Sequence, residues 1–354
     1  MSNDNDYIVI NGRKIGPGYP TYVVAEMSGN HNHDFDKAVE IVKMAKENGA
    51  DAIKLQTYTP STMTIECDEP PFILPNTNTW GGTSLFELYK TAYTPWEWQA
   101  DLYKVCAEIG IDCFSTPFDA SAVDFLDDLD TPVFKVASFE VMDIPLLKKI
   151  ASKGKPVIMS TGMATIGQIQ DAYETLRAGG VEELAMMNCA SAYPARPDIL
   201  NLSNIPHMAK TWGVPIGFSD HSLGIEAALA SVALGACMIE KHVTISRAEG
   251  GPDAAFSLEP HELKAMTSGV TVVEKALGTV GYGASEAESG NVVFQRSLFV
   301  VEDISAGDKL TPQNVRVIRP GDGLEPRYYD DVIGRSAASD IKRGTPLSWY
   351  LVAN

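Results

Sequence analysis

The sequence predicts an α/β protein, a (β/α)8 barrel followed by a small, largely β C-terminal domain. Three observations carry that prediction. Eight short apolar, β-branched runs alternate with stretches of helical periodicity between residues 22 and 277, as parallel strands joined by crossover helices do. Nearly every run ends in polar residues, which suits a barrel that builds its site at the C-terminal ends of its strands. Around 281–297, "GYGASEAESGNVVFQRS", the helical periodicity stops, and short strands with tight glycine turns follow. An open doubly wound sheet is the competing arrangement; the repeated polar strand ends favour the barrel.

The first run, "YVVAEMS", ends at Glu26. The segment "DFDKAVEIVKMAKENGA" then reads as a helix with Asp34 or Asp36 as N-cap and Gly49 as its stop. "AIKLQTY" ends in Lys54 and Gln56, "DCFSTPF" in Thr116, "VFKVAS" in Lys135 and Ser138, and "PVIMSTG" in Ser160 and Thr161. "LAMMNCAS" is core apart from Ser191, which with Tyr193 is placed to touch a ligand. "PIGFSDHS" ends in Ser219, Asp220 and His221, and "CMIEKHVT" in Glu240 and His242. "KAMTSGVTVVEKAL" is the last barrel helix. The segment 59–94 is far longer than a usual barrel loop, which marks it as a lid or specificity element. The expected boundaries are 1–282 for the barrel with an N-terminal β extension, 283–295 for a linker, and 296–354 for the small domain.

Composition narrows the partners. A formal charge of -18 argues against nucleic acid and anionic membrane while leaving small anionic ligands open. No apolar run is long enough to span a bilayer, and the first residues lack the pattern of a signal peptide, so a soluble, cytoplasmic protein is expected. Five cysteines without paired spacing read as free thiols in a reducing compartment.

The stretch "CMIEKHVTIS", 237–246, sets Glu240, Lys241 and His242 in a row where a buried strand would continue apolar. Burying charge is costly unless it is paired or bound. His221 and His242 occupy equivalent positions on neighbouring strand ends and could share a divalent metal, with Glu240 on the same face as His242 and Lys241 on the opposite, structural face. The plainer alternative is a pair of hydrogen-bonded core histidines. Lys54 and Lys135, with the hydroxyls of Thr116, Ser138, Ser160 and Ser219, would cradle a phosphate or carboxylate; ion pairing with Glu26 or Glu240, or a Schiff-base role for a lysine, are the alternatives. Glu26 is placed across the barrel mouth as a general acid or base. His31 and His33 lie further out, where exposure to solvent is expected.

Seven ordered motifs, "AEMSGNHN", "IKLQTY", "FSTPFD", "FKVASFE", "MSTGMA", "GFSDHS" and "IEKHVT", resemble the sialic acid (nonulosonic acid) synthase family over nearly the whole chain. The C-terminal domain is similar to type III antifreeze proteins (SAF). The resemblance implies condensation of phosphoenolpyruvate with an N-acetylated amino sugar. It implies a metal on His221 and His242, most often manganese, with magnesium or cobalt possible. Lys54, Thr116, Lys135, Ser138, Ser160, Ser191 and Ser219 would then bind phosphoenolpyruvate, although relatives often carry Asn where Ser191 stands. Glu26 and Glu240 would serve as catalytic carboxylates, and Gln56, Tyr193, Asp253 and Arg319 would bind the sugar. Arg319 would come from a partner chain in a homodimer with swapped C-terminal domains. "TWGGTSLFELYKTAYTPWEW" and "GGPDAAFSLEP" resemble the pseudaminic acid branch more than the N-acetylneuraminate or legionaminate branches. Trp80, Phe86 and Tyr89 would face the sugar.

Overall fold

In a computed structural model, residues 6–76 and 80–353 are described, and they divide into two compact units, 1–278 and 279–354. The first unit opens with an antiparallel hairpin, β1 (Ile8–Ile10) and β2 (Arg13–Ile15). Eight parallel strands follow: β3 (Tyr22–Glu26), β4 (Ala52–Thr57), β5 (Asp112–Pro117), β6 (Phe134–Val136), β7 (Val157–Ser160), β8 (Leu184–Cys189), β9 (Ile216–Asp220) and β10 (Met238–His242). They close into a barrel in chain order, β10 pairing with β3 so that His242 lies opposite Glu26.

The helices between them form where the sequence spaces its apolar residues for one buried face. In α1 (Phe35–Glu47), Ala38, Ile41, Val42 and Ala45 are buried, and the Asp34 side chain accepts from the Asp36 and Lys37 amides. Asp34 is therefore the cap, and Gly49 at φ +88° takes the left-handed turn that ends the segment. The connection from β4 to β5 carries α2 (Pro60–Met63), α3 (Leu85–Ala92) and α4 (Trp96–Ile109). The segment expected as a loop thus holds a helix of its own, α3, capped by Ser84; residues 77–79 of it lie outside the described residues. The remaining crossovers are α5 (Ala120–Asp128), α6 (Ile144–Ala151), α7 (Ile166–Ala178), α8 (Asn204–Trp212) and α9 (Glu226–Ala233), and α10 (Pro260–Leu277) closes the unit.

Inside the barrel, two-residue alternation sorts apolar from polar. Tyr22, Val24, Ala52, Phe114, Ile158, Ala185, Met187 and Met238 form a buried lower cluster together with Ile8, Ile10 and Ile15 of the hairpin, which plugs the N-terminal end. Gly217 keeps this layer closed: a Cβ there would sit 2.8 Å from Met238 Cβ. With the floor filled, ligand access is left to the C-terminal mouth.

The second unit contains a 3-10 helix, Glu286–Phe294, inside the segment expected as a linker, and an antiparallel pair, β11 (Ser297–Val300) and β12 (Val315–Ile318). Its own core includes Leu298, Val300, Ile304, Leu310, Val315, Ile341 and Leu347. Among the described residues, no helix is long and apolar enough to cross a membrane.

Candidate active site

Above the apolar layer, the next inward position of each strand is polar. Glu26 (β3), Lys54 and Gln56 (β4), Thr116 (β5), Lys135 (β6), Ser160 (β7), Cys189 (β8), Ser219 (β9), and Glu240 and His242 (β10) line one cavity of about 340 Å³. The turns after the strands add Ser28, Ser138, Tyr193, His221 and Asp253.

Four charges form the floor. Lys54 Nζ lies 2.6 Å from Glu26 Oε2 and 3.7 Å from Glu240 Oε1, and Lys135 Nζ lies 3.6 Å from Glu240 Oε2. The ammoniums also donate to hydroxyls, Lys54 to Thr116 Oγ1 at 3.3 Å and Lys135 to Ser160 Oγ at 2.7 Å. Ser219 Oγ donates to Glu240 Oε1 at 3.2 Å, and Gln56 Nε2 donates to Glu26 Oε1 at 2.8 Å. The ion-pair reading of the lysines and the anion-cradle reading thus describe the same atoms.

The two imidazoles stand side by side, ring centroids 5.3 Å apart. His221 Nδ1 lies 3.1 Å from the Ala190 carbonyl, which can only accept, so the neutral ring carries its proton there and leaves the Nε2 lone pair free. His242 Nδ1 lies 3.4 Å from Asp253 Oδ2, and Ser28 Oγ donates to that carboxylate.

Over residues 41–282 the chain matches the NeuB family, and over residues 295–353 the SAF domain. The chain belongs to the NeuB family. It is therefore a phosphoenolpyruvate-dependent nonulosonic acid synthase, a transferase. It is 39% identical to the pseudaminic acid synthase of Helicobacter pylori over 93% of this chain and 97% of that one. Identity to the N,N'-diacetyllegionaminic acid synthase of Campylobacter jejuni is 32%, over 91% of this chain and 97% of that one. Among solved structures, an N-acetylneuraminic acid synthetase from Leptospira borgpetersenii is similar with a TM-score of 0.73 and 30% identity, covering 81% of this chain and 95% of that one.

In this NeuB chain the field of the floor decides protonation. Burial disfavours the Glu240 carboxylate, but the charges of Lys135 and Lys54 outweigh it and hold the group down to about 2. Burial likewise works against the Lys54 ammonium, and Glu240 and Glu26 overcome it, so its pKa is raised. For Lys135 burial wins, with Lys54 repelling it further, and its pKa is lowered. Burial raises Asp253, but His242 and Ser28 bring it below its ordinary value.

The family's sequence-predicted residues are not all gathered here. Ser191 borders an adjoining cleft and not the main cavity; it backs Gly162, where a Cβ would sit 2.2 Å from its Oγ. Arg319 belongs to the second unit, with its guanidinium 5.9 Å from the Phe294 ring centroid. Glu26 is not across the mouth from the imidazoles but beside them, because β3 and β10 are the strands that close the barrel. His31 is buried, not exposed: it lies 3.1 Å from Thr94 Oγ1 and packs on Trp98. Burial pulls its pKa down to about 4, so it serves as a neutral packing residue. His33 is exposed, as expected.

Several lining residues escaped the sequence reading. Ser28, Tyr58 and Cys189 face the cavity, as does Glu140, the last residue of "FKVASFE". Burial raises the Glu140 carboxyl to about 7 against the pull of nearby Lys135. The outer wall is apolar, built by Met63, Leu74, Leu85, Leu88 and Phe118. Leu85, Leu88 and Tyr89 share one face of α3 at helical spacing, which leaves Phe86 off the wall. Trp80 closes the rim by donating its indole N–H to the Pro252 carbonyl at 3.0 Å.

Proposed function

We propose that this enzyme is a pseudaminic acid synthase, joining phosphoenolpyruvate, 2,4-diacetamido-2,4,6-trideoxy-L-altrose and water to give pseudaminic acid and phosphate. The observation that carries the reading is the cavity's division into a charged floor and an apolar outer wall, built mostly by the 59–94 segment. The floor suits a small anion. The wall suits the deoxy methyl and acetamido groups of the sugar. The higher identity to pseudaminic than to legionaminic relatives supports the same branch.

In this reading Lys54 and Lys135 neutralise the phosphate and carboxylate of phosphoenolpyruvate, while Thr116, Ser138, Ser160 and Ser219 donate to their oxygens and Ser191 supports that wall. Gln56, Tyr193 and Asp253 hold the sugar with its aldehyde carbon facing C3 of phosphoenolpyruvate. The donor set fits a divalent ion: two imidazoles whose Nδ1 atoms face a carbonyl and a carboxylate are oriented as metal-binding histidines are. Bound at His221 and His242, manganese, or magnesium or cobalt, would supply Lewis-acid polarisation of the sugar carbonyl.

After C3 attacks, C2 takes up water and phosphate departs by C–O cleavage. Glu26, Glu240 or Glu140 accepts the water proton. A carboxylate held near 2 is a weak base, but anionic substrate competes for Lys54 and Lys135, and losing that cationic compensation lifts Glu240 toward a useful value. Arg319 completes the sugar site from the partner chain of a swapped homodimer.

The test is phosphate release from phosphoenolpyruvate with Mn2+ and, in parallel, the diacetamido-trideoxy-altrose, the corresponding legionaminate precursor and N-acetylmannosamine. Release with the altrose sugar alone is the expected result. Preferential release with either other sugar would reassign the branch.

A further inference from the structure

One buried ion pair takes no part in that chemistry. Lys241 and Asp220 are register neighbours on β10 and β9, and both are 1% exposed. Alternation turns them away from the barrel interior, on the opposite side of their strands from Glu240, His242 and Ser219. Lys241 Nζ donates to Asp220 Oδ2 at 2.7 Å and to the Ser222 carbonyl at 2.7 Å. The other Asp220 oxygen accepts from the Ser222 amide at 2.8 Å and the Ser222 hydroxyl at 2.6 Å.

This network grips both residues that flank His221, and its cation directly precedes His242. Toward the β8 side, the Ala195 amide donates to the His221 carbonyl at 2.9 Å and the Ala190 carbonyl lies 3.1 Å from His221 Nδ1. The Lys241 network ties the turn at His221 to β10, the strand that carries the second imidazole. The ion pair by itself gives little stability, since such pairs are often replaceable by well-packed apolar residues at no loss; what it adds is a fixed Ser222, whose amide, hydroxyl and carbonyl it holds. We propose that the Lys241–Asp220–Ser222 network is a positioning clamp that fixes the spacing of His221 and His242, and so sets the affinity for the divalent ion. The inference rests on the metal reading above.

The test compares Mn2+ binding, followed by the free-ion electron paramagnetic resonance signal without substrates, in the full-length protein and its variants. In the double variant Lys241→Met, Asp220→Leu, the clamp account expects Mn2+ affinity weaker by about 10- to 100-fold, as outer partners of metal ligands command, together with a lower thermal midpoint, because the buried Ser222 amide, hydroxyl and carbonyl lose these partners. It also expects kcat to recover at saturating Mn2+ with the KM for phosphoenolpyruvate unchanged. Ser222→Ala keeps the ion pair and loosens one arm; about tenfold weaker binding is expected, which keeps the idea testable if the double variant does not fold. Unchanged Mn2+ affinity in folded variants, with or without a lower thermal midpoint, would reduce the network to a structural role and overturn the proposal. Absence of Mn2+ binding by the unmodified protein, or binding that survives His221→Ala, would instead overturn the metal reading and the clamp with it.

Discussion

At Glu240 burial and charge pull in opposite directions, and the two lysines win. Its lowered pKa stabilises the fold wherever the unfolded carboxyl would also be ionised. That contribution is full above the unfolded value of 4.5 and disappears as pH falls through about 2. Acid unfolding should therefore steepen across that window, and Glu240→Gln should flatten it in denaturation curves measured at successive pH values. Glu140 makes the opposite case, a carboxyl raised to about 7 by burial. If it is the base, kcat rises through that pH as the group ionises, and Glu140→Gln removes this limb while lowering kcat by about 10²- to 10⁴-fold. A limb that survives the substitution removes Glu140 as the base. Most floor residues were legible in the sequence because each stands at a strand end with fixed parity. His31 was not, because its burial depends on Trp98 and Thr94, brought to it from a distant helix and its approach.

Among the elements, the strands were read from short apolar runs, and the crossover helices from periodicity and caps. The 59–94 segment resisted because α3 lies within an irregular connection and shows its purpose only as a wall. Leu85, Leu88 and Tyr89 share one helical face, but which face meets the cavity is a tertiary fact. Leu88→Asp should raise the sugar KM by about tenfold or more with the phosphoenolpyruvate KM unchanged, since it places an unpaired charge against apolar sugar groups. Steady-state kinetics varying each substrate in turn check this. The hairpin plug predicts a purely structural effect. Ile10 is fully buried beneath the barrel, so Ile10→Ala should cost about 2–5 kcal/mol in denaturant unfolding and leave kcat intact in the folded fraction.

For the whole molecule, the barrel's closure and the plugged floor direct substrates to one end, and with a formal charge of -18 the proposed anion capture falls to the local lysines. The proposed swapped homodimer makes a prediction of its own. His221→Ala and Arg319→Ala homodimers should each be impaired, yet mixing and re-equilibrating the chains should recover about a quarter of full activity, because half the dimers are mixed and each holds one intact composite site. No recovery would place Arg319 outside any shared site.

The most direct test of the central account is phosphoenolpyruvate labelled with oxygen-18 at the bridging C2–O position, turned over with the diacetamido-trideoxy-altrose and Mn2+. The account predicts sugar-dependent, chelator-sensitive phosphate release with the label in the phosphate. Label retained in the organic product, or a borohydride-trappable lysine adduct with turnover indifferent to chelator, would contradict it.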